Sequence, residues 1–158
     1  MILEILIIIY LIVLLRLSLY DYNTLHVKLS EVILACIIGG IYGFLTGDYI
    51  RILALELIMI MVFGLPCLFS LGLGDFLIFL SLAPFLIIGD IQLFFLVFFS
   101  CWIVWHILMV SQNVIFGELK NFKESFSKKN ITTLFYPLVP VIFISFLIWL
   151  FLQYIPRF

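Results

Sequence analysis

The sequence predicts an all-α integral membrane protein, a six-transmembrane-helix bundle. Of its 158 residues, 66% are hydrophobic and only 11% are charged, whereas soluble domains carry about 25% charged residues. The apolar residues also fall into six runs, most of them close to the roughly 20 residues that a helix needs to cross a bilayer. A soluble domain of this size leaves too much surface exposed to hide so many apolar side chains. We therefore expect lipid to surround the helices.

The six predicted helices form one domain, and each of them corresponds to one apolar run. They span residues 2–20, 30–46, 49–70, 75–89, 91–110 and 134–153 of a single membrane domain, 1–158. The first has neither a basic region nor a small-residue cleavage site, so we expect a retained membrane helix rather than a signal peptide. The fourth is short and contains Pro84, which predicts a kink or a start that dips into the membrane. A basic loop, about 111–133, precedes the last helix.

The distribution of Lys and Arg predicts the orientation of the bundle. Six of the eight basic residues lie at the same side if the helices alternate in direction: Arg16, Lys28, Lys120, Lys123, Lys128 and Lys129. Because cytoplasmic loops are enriched in Lys and Arg, this side is expected to be the cytoplasmic face of the cell membrane, with the N-terminus outside. Asp21 and Asp75 are separated by two complete predicted helices, so both are expected at that face.

Two short stretches place an acid at the end of an apolar run. Asp21 lies in SLYDYN and Asp75 in LGLGDFLIF. The dipeptide Gly-Asp also occurs at 47–48 and 89–90, and Asp is a common helix N-cap, so each acid taken alone is more often a cap than a catalytic group. Asp75 differs because its loop has almost no other polar residue. Its carboxylate is therefore expected near or below the membrane surface, where ionisable groups usually face a cavity or a partner.

The residue types around Asp75 suit hydrolysis of a peptide bond. Gly72 and Gly74 permit the close approach of another backbone, such as an extended peptide, and are candidate substrate-binding residues. Two carboxylates held close together share a proton and separate into an acid and a base. The base draws a proton from water while the acid polarises a peptide carbonyl, which is aspartyl proteolysis. We expect no metal, no cofactor and no nucleic-acid partner.

The stretches SLYD and GLGD, together with the six-helix layout, resemble the type IV prepilin peptidases and archaeal preflagellin peptidases, which are GxGD membrane aspartyl proteases. The motif similarity covers roughly residues 18–90; beyond that, only the topology agrees. The resemblance implies a catalytic dyad, Asp21 and Asp75, in an active site near the cytoplasmic face. It also implies that the substrates are pilin-like or archaellin-like precursors, cut between a short basic leader and a long hydrophobic helix.

The chain departs from that family at two positions. Lys28 stands where many members have Pro, and Leu77 stands where many bacterial members have Lys. These departures leave the two acids in place but concern the details of substrate binding. The chain also lacks the tetra-cysteine region of the large bacterial enzymes, so it resembles the form that has peptidase activity without methyltransferase activity.

Two alternative functions remain open at this point. The acids also resemble those of presenilin and signal peptide peptidase, although there the first Asp lies in the middle of a helix and the two acids are on neighbouring helices. A non-catalytic bundle, such as a transporter subunit or an assembly scaffold, would use all three Gly-Asp pairs as caps. Carboxyl groups close enough to share a water favour a peptidase. Carboxyl groups held to separate helix ends by capping bonds favour a scaffold.

No catalytic role is expected for two further acids, Glu56 and Glu31. Glu56 lies well inside the third predicted helix, and we expect it to face the bundle and to pair with Arg51 or a hydroxyl group. Its functional alternative is a contact with the substrate leader or with the catalytic acids. Glu31 is expected to be solvated, with attraction of a basic leader as its alternative. The three cysteines are expected to be buried free thiols.

Overall fold

The computed structural model of the chain describes four ranges of residues, 2–24, 27–69, 73–115 and 138–154. Within these ranges the chain forms six α-helices: α1 (Ile2–Thr24), α2 (Leu29–Thr46), α3 (Tyr49–Phe69), α4 (Leu73–Leu86), α5 (Ile91–Ile115) and α6 (Val139–Tyr154). The prediction of an all-helical chain with six helices is thereby confirmed for the described residues. Gly72 and most of the predicted basic loop lie outside them.

Several helices have the length and apolarity that membrane crossing requires. Among the described residues, α1, α2 and the Ile91–Leu108 part of α5 are long and apolar enough to span a bilayer, and α4 and α6 are shorter apolar helices. The outward faces are also apolar, for example Ile50, which is 85% exposed, and Met61, which is 78% exposed. Soluble proteins rarely expose contiguous apolar surface on this scale. Such faces are typical of helices that contact lipid.

The fourth helix, α4, forms the centre of the bundle. Most side chains from Ile78 to Leu86 are buried, because α2, α3 and α6 pack against it. Phe79 also meets Phe98 of α5 edge to face, with 4.9 Å between ring centroids. Pro84 lies in the last turn, where its missing N–H weakens the helix. The helix accordingly ends at Leu86, before the predicted residue 89.

A stripe of small residues lets α2 approach α4 closely. Ala35, Gly39 and Gly43 are buried at helical spacing on one face of α2. A Cβ atom on Gly39 would lie 2.5 Å from the carbonyl oxygen of Ser81, and one on Gly43 would lie 3.3 Å from Cβ of Pro84. This four-residue spacing of glycines is common where membrane helices touch. The two contacts advance in the same direction along both helices, so α2 and α4 run parallel.

Tyr10 connects α1 to α4 in the middle of the core. Its hydroxyl oxygen lies 2.7 Å from Oγ of Ser81. The Ser81 hydroxyl donates its single hydrogen to the carbonyl oxygen of Ile78, also at 2.7 Å, so Tyr10 is the donor in the contact between the two helices. The Tyr10 ring is fully buried and packs on Phe85, with 4.3 Å between ring centroids.

We expect Ser81→Ala to destabilise the fold more than Tyr10→Phe, although both remove the same interhelical hydrogen bond. Tyr10→Phe leaves Ser81 bonded to Ile78, so the loss should be about 0.6 kcal/mol, the average for such bonds between membrane helices. Ser81→Ala leaves the buried Tyr10 hydroxyl without its acceptor, which costs about 1–3 kcal/mol. Unfolding titrations with SDS in mixed micelles measure both losses. Equal losses would contradict the assignment of Tyr10 as donor.

Helices α1, α5 and α6 also differ from the prediction at one end, and α5 continues to Ile115 rather than ending at 110. The first helix continues to Thr24 rather than ending at 20, because the side chains of Asn23 and Thr24 donate to the carbonyls of Leu19 and Tyr20 at 2.8 Å. These bonds to the carbonyl four residues earlier add to the backbone bonds of the last turn, and the side chains reach those carbonyls only while the turn is helical. The last helix begins at Val139 rather than at 134; residues 134–137 lie outside the described ranges. Pro140 falls in its first turn, where a missing N–H costs little.

Candidate active site

Asp21 lies in the last turn of α1 and is almost completely buried. Its exposed fraction is 4%, and it continues the buried stripe formed by Tyr10, Leu14 and Leu17. A carboxylate at this end of a helix is unfavourable, because the carbonyl end of the helix dipole is negative. A compensating contact comes from α6: the backbone N–H of Val139 donates to Oδ2 of Asp21 at 3.2 Å.

The bond between Asp21 and Val139 is a helix cap supplied from another helix. Val139 is the first residue of α6, and the first N–H groups of a helix have no partner within the helix. The positive end of the α6 dipole therefore faces the buried carboxylate. This bond ties the last turn of α1 to the start of α6. Asp21 thus has a structural role, whatever else it does.

Asp75 lies within the first turn of α4 and is half-buried. The other two Gly-Asp pairs are different, because there the Asp precedes the helix. Oδ1 of Asp90 accepts the N–H of Leu93 at 3.1 Å, as an N-cap does, and Asp48 lies just before α3, where it pairs with Arg51 at 3.3 Å. The three pairs are therefore not equivalent. Asp75 lies in the first turn of its helix, whereas Asp48 and Asp90 lie just before theirs.

Gly74 lies against the segment that follows α1. A Cβ atom at position 74 would lie 3.0 Å from Cβ of Val27, so the close approach of Val27 favours glycine there. An extended peptide that reaches Gly74 would have to lie beside Val27 or displace it. Gly72, the other glycine proposed to shape the substrate path, lies outside the described residues.

The structure brings Asp21 and Asp75 to the same end of the helix bundle. The contact between Tyr10 and Ser81 fixes the relative depth of α1 and α4. From that contact, Asp21 lies roughly 16 Å along α1 and Asp75 roughly 9 Å along α4, in the same direction. The two acids therefore differ in depth by roughly 7 Å. The Val27 contact with Gly74 adds a second link between the two helix ends at this level.

A charge cluster that the sequence did not predict lies at the same end. Oε1 of Glu31 is 3.0 Å from Nη2 of Arg16 and 3.9 Å from Nζ of Lys28. The Glu31 side chain is only 14% exposed, so the expectation of a solvated residue was wrong. Arg16 lies inside an apolar run, and a cation at such depth usually has a partner. That signal could have indicated the pair, which holds α2 against α1.

The predicted ion pair between Glu56 and Arg51 was also wrong, because Arg51 pairs with Asp48 instead. Cys36 and Cys101 are free thiols, but each is half-buried rather than buried. In the part of the chain that the structure describes, no group of three or more His, Cys, Asp or Glu side chains is placed to hold a metal ion.

The chain matches no protein-family model, no curated protein and no solved structure. Its own geometry is therefore the basis for assigning a function. That geometry offers one buried carboxyl group held by a backbone N–H and one half-buried carboxyl group at a helix start, both at one end of the bundle. Paired carboxyl groups can divide into an acid and a base.

Proposed function

We propose that this chain is a membrane aspartyl endopeptidase that uses Asp21 and Asp75 to cut precursors of pilin-like or archaellin-like proteins. The proposal rests mainly on the position of the two acids: Asp21 and Asp75 lie at the same end of the bundle. Asp21 is also almost completely buried, with an exposed fraction of 4%. Burial of an ionised carboxyl group costs free energy, and a second carboxyl group nearby raises that cost. Active sites are where such costs are usually tolerated.

The sequence supplies the remaining parts of the proposal. Six helices cross the cell membrane with the N-terminus outside, because the Lys and Arg residues favour the cytoplasm for the end that carries the two acids. The resemblance of SLYD and GLGD to the prepilin peptidases supplies the substrate class. The precursors that prepilin peptidases cut carry a basic leader followed by a hydrophobic helix, so the cleaved bond lies at the membrane surface.

In the proposed mechanism, one carboxyl group of the pair is ionised and the other is protonated. The ionised group takes a proton from water as the water oxygen attacks the peptide carbonyl carbon, and the protonated group gives its proton to the carbonyl oxygen. Collapse of the tetrahedral intermediate breaks the C–N bond as the proton taken from water passes to the leaving nitrogen. The other carboxylate takes back the proton that it gave to the carbonyl oxygen, which restores the pair. The mechanism requires the two carboxyl groups to come close enough to share a water when the peptide binds.

A non-catalytic bundle is the second candidate, and the bond between Asp21 and Val139 favours it. A carboxylate that caps a neighbouring helix has a structural reason to be where it is. The same bond is compatible with catalysis, because a carboxylate accepts hydrogen bonds at about four lone-pair positions. Asp75 distinguishes the two candidates better, since it lies inside a helix start, whereas Asp90 is a true N-cap.

We expect Asp75→Asn to lower cleavage at least about 100-fold, because an amide cannot take up or release the proton that general acid–base catalysis requires. The assay uses membranes that contain the chain and a pilin-like precursor encoded in the same genome. Asp90→Asn is the matched control, since it makes the same substitution in another Gly-Asp pair and should keep the wild-type rate. Cleavage that survives Asp75→Asn contradicts the two-aspartate mechanism. A folded wild type that cuts none of the precursors of its genome favours the scaffold.

A further inference from the structure

The side-chain nitrogen of Trp105, in α5, is buried and has no hydrogen-bond acceptor among the described residues. The N–H of a buried tryptophan usually has a partner, and a buried donor that is left unpaired costs free energy. Within the described ranges, one other buried side-chain nitrogen lacks a partner, Nε2 of Gln153. The position of each donor relative to the two acids therefore decides what its N–H can bind.

Trp105 continues the face of α5 that meets α4. Phe98 of that face meets Phe79 of α4 edge to face, with 4.9 Å between ring centroids. Trp105 follows Phe98 by seven residues, a spacing that leaves the two side chains within about 20° of each other around the helix. Asp75 precedes Phe79 by four residues, which places it within about 40° of Phe79. Trp105 and Asp75 therefore lie on the faces through which α5 and α4 meet.

The contact between Phe79 and Phe98 also sets the depth of Trp105. A short connection, 87–90, joins α4 to α5, so the two helices run in opposite directions. From the level of the two Phe rings, Asp75 lies roughly 6 Å and Trp105 roughly 10 Å towards the same end. Asp21 lies roughly 7 Å beyond Asp75. The backbone of Trp105 is therefore level with the gap between the two acids.

Helix direction makes the three side chains lean towards that gap. The side chains of a helix lean towards its N-terminus. Since α1 and α5 begin at the opposite end of the bundle, Asp21 and Trp105 lean back towards the level of Asp75. Asp75 leans the other way, because α4 begins at this end. The Trp105 ring also meets Tyr22 in the last turn of α1, with 6.3 Å between ring centroids, so the indole lies beside the turn that carries Asp21.

A peptide held between the two acids supplies the acceptor that the indole lacks. In the proposed mechanism the bond to be cut lies between Asp21 and Asp75 in extended backbone, whose carbonyl groups have no partner within their own segment. A carbonyl that leaves water without a new hydrogen bond is unfavourable. Gln153 cannot serve it, because this side chain lies beside Gly89, at the opposite end of the bundle. Trp105 is thus the unpartnered buried side-chain donor that the described residues place at this end.

We infer that Trp105 is a substrate-binding residue, whose indole N–H donates a hydrogen bond to a main-chain carbonyl oxygen of the precursor beside the cleaved bond. The inference rests on the proposed peptidase function. Every precursor has main-chain carbonyls, so this contact orients the peptide between the two acids without selecting its side chains.

Two other acceptors fit the indole less well. Lipid headgroups bond to tryptophans on the outer surface of a bundle, which describes Trp102, 39% exposed, but not the buried nitrogen of Trp105. The carboxyl groups of Asp21 and Asp75 lie near this level, yet neither accepts the indole N–H. A carbonyl that arrives with the substrate leaves the carboxyl groups available for proton transfer.

NMR spectra of the indole N–H groups test the bond directly. The chain carries nitrogen-15 tryptophan and Asp75→Asn, which keeps the precursor uncut, and the probe is the pilin-like precursor of the same genome in the same detergent micelles. The Trp105 signal is the one that Trp105→Phe removes. We expect the bound precursor to move this proton downfield, as a new hydrogen bond does. The Trp149 signal is the internal control and should stay in place, since its N–H already donates to the carbonyl of Asp90 at 2.8 Å.

Kinetics test the same contact in the active chain. We expect Trp105→Phe to raise KM about tenfold with kcat little changed, since one hydrogen bond to the bound peptide is lost. The unbound chain should unfold at the same SDS fraction as the wild type, because Phe keeps a ring against Tyr22 and removes a donor that has no partner. Trp102→Phe makes the same change at an exposed position of α5 and should leave KM unchanged. An unchanged KM in Trp105→Phe would overturn the inference, and so would a shifted pH profile without a change in KM, which assigns the N–H to the dyad.

The two experiments separate this inference from the proposed function. The NMR measurement in Asp75→Asn does not depend on catalysis. A downfield shift of the Trp105 signal without dyad-dependent cleavage would support the contact and overturn the peptidase. Dyad-dependent cleavage, with a Trp105 signal that a co-purifying precursor leaves in place, would support the peptidase and overturn the contact.

Discussion

Replacement of Asp21 by asparagine should reduce precursor cleavage by about 100- to 10,000-fold, the usual contribution of general acid–base catalysis, and should leave the fold unchanged. The asparagine amide oxygen can still accept the N–H of Val139, which now bonds to Oδ2 of Asp21 at 3.2 Å. The amide cannot take a proton from water. Initial cleavage rates in membranes, with helicity by circular dichroism as a check on folding, measure the two effects separately.

Asp21→Ala completes this test, because it removes the cap as well as the proton acceptor. We expect the same loss of cleavage together with a lower free energy of unfolding, by about 1 kcal/mol, the usual cost of a lost N-cap. Asp90→Ala is the matched control: it removes the cap at Leu93 at a similar cost and should keep its activity. If Asp21→Asn cleaves as well as the wild type while Asp21→Ala is destabilised, the cap is the only role of Asp21 and the scaffold is favoured.

The same substitution at two adjacent glycines should have opposite effects. We expect Gly39→Ala to lower the free energy of unfolding by about 1–3 kcal/mol, the range for an overpacked core. Its new Cβ would lie 2.5 Å from the carbonyl oxygen of Ser81, which is backbone and cannot move aside alone. Gly40→Ala meets no atom within 4 Å, and alanine favours a helix over glycine by about 1 kcal/mol. It should therefore be neutral or stabilising.

Unfolding titrations with SDS in mixed micelles measure both glycine variants in the same way. Gly39→Ala should also lower cleavage, because displacement of α2 moves α4, the helix that carries Asp75. Equal stability of the two variants would contradict the close packing of α2 on α4.

Local signals allowed the middle of the fold to be predicted well. The bounds of α2 and α3 agree with the prediction to within one residue, because the signals that separate these helices are local. Gly47 adopts a left-handed φ of 72° and ends α2, a conformation that glycine takes without steric cost. Asp48 then directly precedes α3, which begins at Tyr49. The four-residue spacing of Gly39 and Gly43 is a further local signal of a close helix contact, although no such contact was predicted from it.

The rest of the site depends on contacts between distant parts of the chain. A count of helices is enough to expect Asp21 and Asp75 at the same end. It cannot indicate that Val139 caps Asp21, nor that Val27 lies over Gly74, since in each case the partner is set by how the helices pack.

The tie between α1 and α6 has a consequence for how the protein is made. Synthesis proceeds from the N-terminus, so the helix that carries Asp21 exists long before the helix that begins at Val139. The N–H that steadies the carboxylate reaches it only when the last helix has been produced and has packed. A nascent or prematurely terminated chain therefore contains both acids but lacks the geometry that holds one of them. Under the proposed peptidase function, cleavage would therefore begin only after α6 has packed against α1.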